Sequence, residues 1–174
     1  MKRTTLAVPA VLVAIVALVA VGGATAKKPA LSATPVFKLN LKGSQEVPPN
    51  KDQRGSAVGS VTFDLTRNSA GTITSGEVIF SFNYSFASAA TVTAMHVHQG
   101  AKGATGPPVV GAVLSASDTA DTDGVGNITS VVGGTSPATL QAILDNPRGY
   151  YVNLHTTVKQ DGALRAQMHN PKKR

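Results

Sequence analysis

The stretch GEVIFSFNYSF, residues 76–86, sets Val78, Phe80, Phe82, Tyr84 and Phe86 at every second position. Successive side chains of a strand point to opposite faces, so a period of two in aromatic and β-branched residues marks a half-buried β-strand. The pattern continues outward. In VFKLNL, residues 36–41, the shared face is Phe37, Leu39 and Leu41; in AVGSVTFDL, residues 57–65, it is Val61, Phe63 and Leu65. Gly43, Pro48-Pro49, Asn68 to Gly71 and Gly133-Gly134 supply turn chemistry between these runs. Many short strands with polar turns predict an all-β chain, a Greek-key-like antiparallel β-sandwich or barrel. One short helix is expected in SPATLQAILDNP, with Ser136 as N-cap, Pro137 at the first turn, a Leu140/Ile143/Leu144 stripe and Pro147 as the stop.

Composition narrows the class. Residues 1–26 carry Lys2 and Arg3, an apolar run from Leu6 to Val21, and Ala24-Thr25-Ala26 before Lys27. That order is expected of a secretory signal peptide, and the apolar run is too short for a comfortable membrane span. Cleavage there would leave no stable membrane span. The chain has no cysteine, so an exported protein of this sequence does without disulfides. The remaining chain has 14 basic and 9 acidic residues. The basic residues are dispersed, apart from Lys27-Lys28 and Lys172-Lys173-Arg174, and none form a patch interleaved with aromatics. Nucleic acid is therefore not expected as a partner.

The chain has four histidines, and two of them flank Val97 in TAMHVHQGAKGATGPP, residues 93–108. On a strand, Met95 and Val97 would face the core while Ala94, His96 and His98 face out. Their Cα atoms would then be about 7 Å apart, close enough for two imidazoles to converge on one ion. A second strand pair is expected in GYYVNLHTTVKQDGALRAQMH, residues 149–169, with its turn at Val158 to Asp161. Pairing Thr156 with Leu164, Leu154 with Ala166 and Val152 with Met168 gives an apolar face. The other face then carries His155 opposite Arg165, Asn153 opposite Gln167 and Tyr151 opposite His169. A slip of one residue would bury Arg165 and Gln167 in the core, which selects this parity.

Three stretches together resemble the CHRD domain, a module repeated in chordin and found singly in many bacterial exported proteins. The first is Gln45-Glu46-Val47-Pro48-Pro49. The second is His96-Val97-His98 with its Gly-rich loop to Gly106-Pro107. The third is Tyr151 to Thr156 followed by Gly162 to Gln167. The departures are Ala163, where the family usually has Glu, and Ala166, where it usually has Gly. The resemblance covers residues 36–169, leaving a linker at 27–35 and a basic tail at 170–174. It implies an all-β extracellular module and no particular reaction.

A more distant resemblance is to the copper half of Cu,Zn superoxide dismutase. It implies His96, His98 and His155 as metal ligands and Arg165 as an anion-guiding residue. A bridging histidine after His98, a zinc set and a disulfide are missing from the pattern. Neutral imidazoles suit copper or zinc, and three of them leave an open coordination position. Asn153 and Gln167 read as partners of those ligands or as a cross-strand pair. Glu46 reads as a base, a ligand, or an acceptor pinning a loop against Arg165. His169 reads as a surface residue. The Gly100–Pro108 loop has neither collagen length nor a phosphate-loop Gly-Lys-Ser/Thr element. The SDTADTDGVGN segment, residues 117–127, lacks calcium-loop spacing and reads as a solvated loop. The expected function is a secreted binding module with an extracellular or envelope partner and a copper or zinc ion on its histidine face. A copper redox enzyme and a structural envelope protein are the alternatives.

Overall fold

The computed structural model describes residues 34–51 and 53–171. The expected signal peptide, most of the linker and the last three tail residues lie outside them. Eight strands form: β1 Val36–Lys42, β2 Gly55–Arg67, β3 Ile73–Phe86, β4 Val92–Gln99, β5 Pro108–Gly111, β6 Val125–Val132, β7 Tyr150–Thr156 and β8 Leu164–Gln167. All neighbours are antiparallel, in the order β5-β4-β7-β8-β1-β2-β3-β6. One residue pair, Lys42 with Arg165, joins the β5-β4-β7-β8 half to the β1-β2-β3-β6 half. The chain passes from β3 in one half to β4 in the other, returns from β5 to β6, and crosses again from β6 to β7. These are Greek-key-like crossovers, and the sheet curls into a nearly closed barrel or sandwich.

The alternation that predicts the strands also fills the core. Phe37, Leu41, Val61, Phe63, Phe80 and Phe82 from one half are buried, as are Met95, Val97, Val152, Leu154 and Leu164 from the other. Phe37 and Phe63 meet edge to face with centroids 5.4 Å apart, a favoured aromatic geometry. Helix α2, Pro137–Asp145, forms where its cap signals place it and buries Leu140 and Ile143. It packs on β3. The Ser136 hydroxyl accepts from the Thr139 N–H. Ser136→Ala is expected to cost about 1 kcal/mol, the usual worth of an N-cap, readable as a lower denaturation midpoint.

Two readings are corrected. The segment expected as a solvated loop holds a single helical turn, α1, at Ala116–Ala120, and Asp118 is buried in a capping box with Ser115. Asp118 therefore serves the backbone, satisfying N–H groups that the turn leaves open. The β7–β8 register also differs by two residues. Tyr151 pairs with Gln167, Val152 with Ala166, Asn153 with Arg165 and Leu154 with Leu164. Parity excludes odd slips only, so the faces are as expected but the partners are not. The longer turn accounts for the shift. Thr156 N–H donates to Lys159 O at 3.0 Å, and Gly162, at φ +135°, leaves the ladder in a conformation other residues rarely adopt.

Candidate metal centre

Strand register brings the three histidines together. On the face away from the core, one row runs His98–Tyr151–Gln167 and the next runs His96–Asn153–Arg165 across β4, β7 and β8. His155 sits opposite Ala94, diagonal to His96. The small side chain of Ala94 leaves room for the His155 ring, whose centroid lies 5.0 Å from that of His96. One ring nitrogen from each of His96, His98 and His155 lies within 4.8 Å of the others. Tetrahedral ligands at metal–nitrogen distances near 2.0 Å stand about 3.3 Å apart, so small ring rotations would close the set on one ion.

The tautomers follow from the partners. His98 Nδ1 lies 2.8 Å from Gly106 O, and His155 Nδ1 lies 2.8 Å from Gln160 O. A carbonyl only accepts, so each Nδ1 carries the proton and each Nε2 keeps its lone pair. His98 Nε2 is buried with no hydrogen-bond partner. His96 Nδ1 then donates to His155 Nε2 at 3.1 Å. Ligation through His96 Nδ1 would require this proton to move to Nε2, a change of tautomer rather than of charge. A ring N–H anchored on a backbone carbonyl is the outer-shell arrangement that orients metal-binding histidines.

Burial keeps the His96 and His98 rings neutral. Burial, then the His155 and His98 charges, lower His96 to about 4. Burial lowers His98 as well, helped by the His155 and Arg165 charges. The Gly106 carbonyl and the Asn153 amide act in the opposite sense. Both imidazoles are therefore free bases near pH 7, the form that binds metal.

The expected outward face is closed over His98 and only partly open at His96 and His155. The loop from Gly100 to Pro107 folds over His98, which is only 8% exposed. Gly103, at φ +82°, makes the turn. At Gly106 a Cβ would collide with Gln99 O, so only glycine delivers this carbonyl to His98. Arg165 holds the same loop, donating from Nη2 to Ala101 O at 3.2 Å and Ala104 O at 2.8 Å. Its guanidinium also covers the Tyr151 ring, 3.5 Å from the centroid, while His98 stacks on Tyr151 at 4.9 Å. Because β7 lies between β4 and β8, Tyr151 separates Arg165 from the histidines. Gln167 is a second loop pin, donating to Gly100 O, Arg148 O and Tyr150 O. His169 is exposed, as expected.

The CHRD domain family model matches residues 37–168. The chain belongs to the CHRD domain family. No curated protein and no solved structure matches it. In this CHRD domain the three motifs meet in space. The His-x-His strand and its loop, the Tyr151–Thr156 motif on β7 and the Gly162–Gln167 motif leading into β8 enclose the histidines and Arg165. The Gln45–Pro49 element reaches the same region through Glu46, whose carboxylate a Cβ on Gly162 would touch. Tyr151 and the Gly106 and Gln160 carbonyls are the contributors that sequence reading missed. The His-x-His followed by a glycine-rich loop was the available signal for Gly106.

Glu46 lies beside Gly162. It is 8% exposed and its Oε1 has no hydrogen-bond partner. Burial pushes its carboxyl up to about 7, opposed by Arg165 and reinforced by Asp161. A raised carboxyl contributes stability that is complete below its unfolded value of 4.5 and is lost as pH rises through about 7. His96 works in the opposite sense: stability present above 6.5 is lost as pH falls toward about 4. Glu46→Gln is accordingly expected to raise the melting temperature at pH 8, where the buried carboxylate is charged, and to leave it unchanged near pH 4. Thermal scans at the two pH values check this.

Proposed function

We propose that this CHRD domain is a secreted, non-enzymatic binding module whose histidine face holds a single copper or zinc ion. The supporting observation is the pair of anchored rings. His98 and His155 each present an Nε2 lone pair beside His96 Nδ1, with their second nitrogens fixed on backbone carbonyls. Three imidazole donors suit either metal and leave a coordination position for a group from the partner. The apolar leader at residues 1–26 supports export. Among the described residues no helix is long and apolar enough to cross a membrane.

A copper redox enzyme of superoxide-dismutase type is the second reading. It draws on the same three ligands and on the partial exposure of His96 and His155, which gives a small substrate access. Titration with copper(II) followed by a superoxide turnover assay separates the two. One equivalent bound without turnover supports the binding module. Dismutation that disappears in His155→Ala supports the enzyme. No affinity for either metal removes both and leaves a structural envelope role.

A further inference from the structure

A cleft of about 430 Å³ opens on the Arg165 side of Tyr151, lined by Glu46, Val47, Lys102, Gly103, Arg165 and His169 among others. None of the three candidate metal ligands lines it. Two of its charged groups are buried and incompletely paired. Arg165 is 2% exposed and its Nη1 has no hydrogen-bond partner; Glu46 is 8% exposed and its Oε1 has none. A buried charge without full pairing is costly, so the pair needs a compensating contact. Nη1 offers a donor and Oε1 an acceptor, so a ligand with both an anionic oxygen and a hydroxyl would satisfy them. The guanidinium is already fixed by its Nη2 bonds to the loop and by Tyr151, so little freedom remains to be lost on binding.

Charge selects the ligand class. Arg165 and Lys102 line the cleft together with Glu46, and Asp161 is the other acid that acts on Glu46. A neutral ligand would leave the two cations unused, and a dianion would meet the Glu46 carboxylate. We propose that this cleft is a second ligand site, which takes a carboxylate-bearing small molecule of monosaccharide size. Its carboxylate sits on Arg165 and Lys102 and a hydroxyl donates to Glu46. Such a ligand fits the usual dimensions of small-molecule pockets.

The test is a titration of the purified protein with D-glucuronate, followed by backbone amide shifts, with methyl β-D-glucoside as the neutral counterpart. Saturable shifts at Val47 and Gly103 are expected with glucuronate, and binding about tenfold weaker or worse with the glucoside. Lys102 is exposed on the loop, so Lys102→Ala should fold normally and weaken glucuronate by about tenfold, the worth of one charge-assisted hydrogen bond. Absence of saturable shifts at Val47 and Gly103, equal binding of the two sugars, or full affinity in Lys102→Ala overturns the proposal.

Discussion

His98→Ala is expected to lower the affinity for copper(II) or zinc(II) by at least about a hundredfold, beyond the 10–100-fold effect of losing a mere outer-shell partner. The reason is geometric. His98 Nε2 is the buried lone pair with no other partner, and its ring is held by both Gly106 O and Tyr151. Removing it leaves two nitrogens, His96 Nδ1 and His155 Nε2, that already bond each other at 3.1 Å. Loss of the His98–Gly106 bond should cost only about 1 kcal/mol of stability, so the variant stays folded. Competition titration against a chelator of known affinity measures the change, with circular dichroism as the check on folding. His155→Ala provides a second reading from a less buried position.

Phe80→Ala is expected to destabilise the domain by about 3–5 kcal/mol, the cost of deleting a large aromatic and leaving a cavity. Phe80 has no exposed surface and pairs with Val61 of β2 and Ser130 of β6 at the middle of its half-sheet. With domain stabilities of roughly 5–15 kcal/mol, one such loss removes a large share of the total. Val58, 55% exposed on the opposite face of β2, is the control. Val58→Ala should shift stability by about 0.5 kcal/mol or less. Urea denaturation of the three proteins distinguishes the buried face from the exposed one.

The strands were legible because burial alternates with side-chain direction. Val78, Phe80, Phe82, Tyr84 and Phe86 are all buried, as the period of two requires. Helix α2 was legible because Ser136 and Pro137 are local signals. The α1 turn was not, since one capping box in a run of Asp, Ser and Thr looks like ordinary loop chemistry. For the site, the pairing of His96 with His98 was visible from spacing alone. The proximity of His155 depended on β4 lying beside β7, which periodicity does not encode. The hairpin register escaped for a related reason. Parity fixes which face Arg165 and Gln167 occupy, while turn length decides their partners. Arg165 reads as a guide for anions at a metal, yet it lies beyond Tyr151 and binds loop carbonyls. The Gln160 carbonyl that anchors His155 leaves no trace in side-chain patterns.

The most direct test of the central claim is electron paramagnetic resonance of the protein loaded with one equivalent of copper(II). A single species with coupling to three imidazole nitrogens is expected, and its loss in a His96→Ala/His98→Ala variant that remains folded. Copper that binds without imidazole coupling, or an identical spectrum in the double variant, would contradict it.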